Sequence, residues 1–158
     1  MIGCFKNHKK QWHVGFSLLE MLIALAILGV IAGIGVPAYQ EYLKEADIKT
    51  CQQHIKMMEV LIKGFRLAEG RYPDTLAEAG AAMDDPWGNP YQYLPIEGAT
   101  VPPGKQRKDH ALVPINSDFD LYSMGEDGKS SPPLTAQSSR DDIVRANNGS
   151  FVGLAVDY

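Results

Sequence analysis

The sequence is short of the residues that would make it an enzyme or give it a covalent framework. It holds two cysteines, Cys4 in a basic N-terminal stretch and Cys51 in a helical pattern. Cys51 stands alone in any product that loses that stretch, so no intrachain disulfide framework is implied. It is expected to be a small buried apolar residue. No apolar run precedes Cys4, which excludes a lipid-attachment cysteine. The four histidines, His8, His13, His54 and His110, have no partners at zinc spacing. There is no G-x-S-x-G and no glycine-rich phosphate loop. Asp118 to Tyr122 opens like a calcium-binding helix–loop–helix segment, but the required Gly and closing Glu are misplaced. The Asn148-Gly149-Ser150 sequon is read as chance. An enzyme is therefore not expected.

A basic face is also missing. Lys and Arg number 15 against 19 Asp and Glu. Lys6, Lys9 and Lys10 fall in the first fifteen residues with no acid among them, so the remaining body is more acidic than the whole. Lys105, Arg107 and Lys108 form only a small loop patch. Nucleic-acid binding, which needs clustered positive charge, is excluded. After the first long apolar run there is no second, so a membrane topology could only be single-pass.

That one run is Phe16 to Val36, FSLLEMLIALAILGVIAGIGV. It is long enough to cross a bilayer as a helix. The basic stretch before it places the N-terminus in the cytoplasm and the C-terminal body outside. Glu20 disagrees with its apolar surroundings, and an acid in a membrane helix calls for a cationic partner or a route back to the interface. Val36-Pro37-Ala38 before Tyr39 loosely fits an ordinary signal-peptidase site, which would release a soluble secreted binding protein. Against this, the run is long for a signal peptide, it contains Glu20, and helical sequence continues past the supposed cut.

From Ala38 to Glu69 the pattern is amphipathic. Tyr39, Leu43, Ala46, Cys51, Ile55, Met58, Ile62 and Phe65 make one apolar stripe at helical spacing. Gly70 ends the helix before Arg71-Tyr72-Pro73. Pro37 lies inside and predicts a kink, with Gly29, Gly33 and Gly35 weakening the turns nearby. Beyond Gly70, turn residues punctuate short runs, and strands are expected at Tyr91–Ile96, His110–Ile115, Phe119–Met124 and Phe151–Val156. The predicted fold is α+β: a long N-terminal helix, membrane-spanning in its first half and amphipathic in its second, packed on a small antiparallel β-sheet head. The expected division is a basic stretch over 1–15, a transmembrane helix over 16–36, a stalk over 37–69 and a head over 70–158.

Gly15-Phe16-Ser17-Leu18-Leu19-Glu20, followed by the apolar run and Pro37, resembles the prepilin signature of type IV pilins and type II secretion pseudopilins. Asp84-Asp85-Pro86-Trp87-Gly88-Asn89-Pro90-Tyr91 and Asp120-Leu121-Tyr122-Ser123-Met124-Gly125-Glu126-Asp127-Gly128 resemble segments of the major pseudopilin, as does the Asp141-Asp142-Ile143 run. The stretches over Glu97–Ser117 and Lys129–Arg140 and the tail after Ile143 are longer than that family's pattern, and the one between Tyr72 and Asp85 is shorter.

The resemblance implies the following. A prepilin peptidase removes the leader over 1–15 by cutting between Gly15 and Phe16, and Phe16 is N-methylated. Glu20 neutralises the new amine of its own or a neighbouring subunit, and Pro37 sits where packed subunits extend. The chain stays in the inner membrane with a periplasmic head. It then joins a homo-oligomeric filament with other pseudopilins and the inner-membrane assembly platform, supporting export across the outer membrane. A type IV pilin or minor pilin is the alternative. The resemblance also implies calcium, held by the Met124 carbonyl and the side chains of Asp127 and Asp142, with Asp141 nearby. A loop so poor in apolar residues would need an organising ion.

Overall fold

The computed structural model describes residues 15–102 and 104–158. The leader expected over 1–15, with Cys4, His8 and His13, lies outside the described residues except for Gly15. Two units, Met1–Tyr42 and Leu43–Tyr158, are each taken by themselves.

Helix α1 runs Leu18–Glu69. In the first unit it starts on a reciprocal cap. The Ser17 backbone N–H donates to Glu20 Oε2 at 2.8 Å, and the Glu20 N–H donates to Ser17 Oγ at 3.2 Å. This S-x-x-E box satisfies donors that the first helical turn leaves free. The helix then carries an 18-residue window of mean hydropathy 2.5, none of it buried. Leu, Ile, Val and Met side chains point outward on every side from Leu18 to Val36. A helix apolar all round and uncovered is long and apolar enough to cross a bilayer. Pro37 sits within α1, and the helix continues through it.

In the second unit, α1 turns amphipathic and buries Cys51, Ile55, Met58 and Ile62. Those residues were expected in the stripe, whereas Tyr39 and Leu43 at its start stay exposed. Gly70, at φ 74°, closes the helix by donating its N–H to the Arg66 carbonyl at 2.9 Å. This positive φ is one that glycine adopts without steric cost.

The sheet has four antiparallel strands in sequence order: β1 Gln92–Pro95, β2 Phe119–Ser123, β3 Ile143–Ala146 and β4 Phe151–Leu154. Tyr93 pairs with Leu121, Tyr122 with Val144, and Arg145 with Val152. Side-chain alternation divides the core in two. Phe119, Leu121 and Ile143 join Cys51, Ile55, Met58 and Ile62 of α1 together with Tyr72 and Tyr91. Val144 and Ala146, on the opposite face, join Ile115, Leu134 and Ala155. The sheet is thus covered on one side by α1 and on the other by irregular chain.

Two expectations are corrected. His110–Ile115 is not a strand. Asp109 Oδ1 accepts from the N–H groups of Ala111 at 2.8 Å and Val113 at 2.9 Å, folding the segment into a closed turn. Leu112 there takes φ 61°, and Pro114 has no N–H to give a ladder. Ile143–Ala146 is a strand that the pattern did not announce. It is buried on both faces, so it shows no alternation, and it carries a charged residue, Arg145, at its centre. The expected Phe151–Val156 strand stops at Leu154 and tightens into a 3₁₀ turn over Ala155–Asp157.

Candidate functional site

At the N-terminal end, Gly15 and Phe16 precede the helix and both are exposed, Phe16 by 79%. A peptide bond outside helical hydrogen bonding and open to solvent is accessible to a peptidase. Glu20 lies one helical turn further on. Its Oε2 also accepts from Ser17 Oγ at 3.0 Å. The carboxylate therefore points back toward the residues that precede the helix. The sequence reading found Glu20 but missed Ser17, although the S-x-x-E spacing was there to be read.

The head holds two buried arginines. Arg145 of β3 is fully buried and faces α1. Its guanidinium donates to Asp118 at 2.6 and 2.9 Å, to the Phe119 carbonyl at 3.0 Å and to Glu59 of α1 at 3.1 Å. It stacks 4.0 Å from the Phe119 ring centroid. Burial pushes the Asp118 carboxyl up, but the Arg145 guanidinium and the Phe119 N–H outweigh it and hold Asp118 below the usual carboxylate range.

Arg107, which the sequence placed in a surface patch, is 2% exposed. Its guanidinium donates to Asp142 Oδ2, Ser130 Oγ and the Ser131 carbonyl, each at 2.5 Å. Burial pushes the Asp142 carboxyl up to about 6, against the pull of Ser130 and Arg107.

The three aspartate side chains expected around calcium are not grouped as a ligand set. Asp142 is turned into the interior toward Arg107 and Ser130. Asp127 Oδ1 accepts from the Lys129 N–H at 2.7 Å, and Asp141 Oδ2 from the Asp127 N–H at 3.1 Å. Among the described residues no three His, Cys, Asp or Glu side chains are grouped to hold a metal ion. Asp142 Oδ1 is buried without a partner, but so is Arg107 Nε. These are the two kinds of atom that a bidentate guanidinium–carboxylate pair joins. The residues present fit a guanidinium at this place better than a calcium ion.

The other singled-out motifs are structural. Asp85 Oδ1 accepts from the Trp87 and Asn89 N–H groups, and Ser123 Oγ donates to Asp85 Oδ2 at 2.6 Å. Asn89 Nδ2 donates to the Gly125 carbonyl at 3.0 Å. The Asp85–Tyr91 turn thereby fastens the end of β2, as expected of a junction. A Cβ on Gly125, at φ 66°, would fall 2.4 Å from the Asp141 carbonyl oxygen. Cys51 is buried, accepts from Tyr91 Oη at 3.2 Å, and has its thiol pushed up to about 11 by burial. A thiol held protonated and covered is not a nucleophile.

Residues 15–36 match the family model for the prokaryotic N-terminal methylation motif. The type II secretion system core protein G of Pseudomonas aeruginosa is 28% identical over 143 residues, covering 77% of this chain and 89% of that one. Core protein G of Klebsiella pneumoniae is 29% identical over 134 residues, covering 82% and 91%. The type IV major pilin protein PilE1 of Neisseria gonorrhoeae is 31% identical over 89 residues, covering 55% and 49%. No solved structure matches. The chain thus carries the N-terminal methylation motif ahead of its helix-and-sheet fold, and it is similar over most of its length to core protein G of type II secretion.

Proposed function

We propose that this chain is a structural subunit of a type II secretion pseudopilus. It is cut between Gly15 and Phe16 by a prepilin peptidase and methylated on Phe16. The helix over 16–36 holds it in the inner membrane, N-terminus cytoplasmic and head periplasmic. Subunits then leave the membrane and pack helix on helix into a periplasmic filament, together with other pseudopilins and the assembly platform.

One observation carries this reading: the methylation motif over residues 15–36 coincides with the wholly uncovered apolar half of α1. A surface of that kind is stable only in lipid or against other helices. The exchange of one for the other is what a subunit drawn from membrane into filament undergoes. The head contributes fastened turns and buried ion pairs.

The test is deletion of the gene from its host and complementation with a tagged copy. Proteins in the medium, filaments under the electron microscope and the mass of the mature chain are then read. Loss of export with a mature chain starting at Phe16 is expected. Intact export with loss of long surface pili would favour the type IV pilin reading, to which the PilE1 match gives some weight over half its length. A soluble chain starting at Tyr39 would favour a secreted binding protein.

A further inference from the structure

We propose that Arg107 is the built-in cation of the head: its guanidinium takes the place that a calcium ion would hold, so the loop between β2 and β3 is ordered without metal. The inference concerns the head alone and stands whether or not the filament reading does.

The loop over residues 124–142 needs an organiser, because Gly, Ser, Pro and Asp dominate it and Leu134 is its one large, fully buried apolar side chain. Around Arg107 it gathers a carboxylate oxygen from Asp142, a hydroxyl from Ser130 and a carbonyl from Ser131. These oxygen types are the donors a hard cation takes. Here a planar guanidinium sits among them, its fixed donors matched to three oxygens at 2.5 Å. Ser130 Oγ also donates to Asp142 Oδ2 at 2.5 Å, which closes the set on itself.

Arg107 is fixed from behind as well as at its tip. Its own N–H donates to Asp120 Oδ2 at 2.7 Å, and its carbonyl accepts from the Ile115 N–H at 3.1 Å. The guanidinium lies 4.3 Å from the Tyr122 ring centroid. The next residue, Lys108, donates its N–H to the Pro132 carbonyl and accepts from the Leu134 N–H, each at 2.9 Å. The segment over residues 97–117 thus pairs its backbone with the loop at Lys108, is tied to β2 through the Asp120 carboxylate, and delivers the cation.

A metal ion added beside this guanidinium would meet like charge in a buried setting, where Coulomb repulsion is weakly screened. It would find Asp142 Oδ2 already engaged by Arg107 and Ser130. One oxygen each of Asp127 and Asp141 accepts from a backbone N–H group of the same loop.

The experiment uses the full mature chain in detergent. Thermal unfolding and limited proteolysis of the 125–142 loop are compared in chelator and in millimolar calcium, for the wild type, R107Q and R107K. The wild type is expected to show the same midpoint and cleavage rate in both media. R107Q is expected to lose loop protection in chelator, with cleavage faster by about tenfold. R107K, which keeps the charge, is expected to fall between them. A calcium-dependent rise in the wild-type midpoint or protection would overturn the proposal. So would a loop in R107Q as protected as in the wild type. If R107Q does not fold, the wild-type comparison and R107K decide.

Discussion

Glu59 of α1 and Arg145 of β3 lie 3.1 Å apart, a charge pair 86 residues apart in sequence that ties the helix to the sheet. Arg145 is also held by both oxygens of Asp118, and Glu59 also by Lys63 at 2.5 Å. The partners are therefore unequal. Removing Arg145 leaves Asp118, 8% exposed, without a countercharge. Removing Glu59 leaves Arg145 still paired. R145M is expected to destabilise the head by about 3–5 kcal/mol, the range for breaking a buried pair. E59Q is expected to cost roughly 1 kcal/mol, the net value of a typical hydrogen bond. Denaturant midpoints at constant slope measure both, and equal losses would refute the ranking.

The same cluster sets a pH dependence. Asp118 faces Arg145 from β3 and lies near Glu59 of α1, and its folded-state pKa is lowered. A lowered carboxyl contributes stability that is fully present above its unfolded value. That stability is lost as pH falls through the ordinary carboxylate range toward the folded value. The stability gap between wild type and D118N is thus expected to be constant near neutrality and to shrink as pH drops below about 4. Urea unfolding of both proteins across that range measures the gap, and one that widened on acidification would contradict the assignment.

Much of this fold is written in local pattern. The apolar stripe Cys51, Ile55, Met58 and Ile62 is the buried face of α1, and Gly70 ends the helix where a positive φ is needed. Strands β1 and β2 fall within a residue or two of where turn residues bracket them. What was not legible are long-range pairings of charge. Nothing local marks Arg107 or Arg145 as interior, because each is buried only once a distant Asp is brought to it. Strand β3 was hidden for the same reason: its central residue reads as surface until Asp118 and Glu59 are in place. Leu112 and Val113 read as strand because hydropathy is blind to the Asp109 turn that exposes them.

Processing at the N-terminus predicts a clean change in mass. Gly15 precedes the helix, with nothing near the position where its Cβ would lie. A larger residue there is therefore tolerated by the chain itself, and any block belongs to the peptidase. G15L is expected to accumulate as uncut precursor in the inner membrane with the head folded. Intact-mass spectrometry of the membrane fraction reads this directly, and a mature chain beginning at Phe16 in that variant would show that the site is misplaced.

Glu20 has two uses that can be separated, because its carboxylate both caps α1 with Ser17 and is available to a positive amine on Phe16. The cap depends on hydrogen bonds, worth about 1 kcal/mol at a helix start. The amine pairing depends on net charge, which in an apolar setting cannot go unbalanced without a larger cost. Glutamine can still accept the Ser17 bonds but carries no charge, whereas S17A removes the hydroxyl bonds and keeps both the charge and the backbone N–H bond to Glu20. If charge sets subunit register, E20A and E20Q both insert and are cleaved yet give few or no filaments, while S17A assembles close to wild type. Filament yield per unit of mature membrane protein, counted by electron microscopy, decides the matter. Assembly by E20Q together with failure of S17A would assign Glu20 to the helix cap and remove it from register.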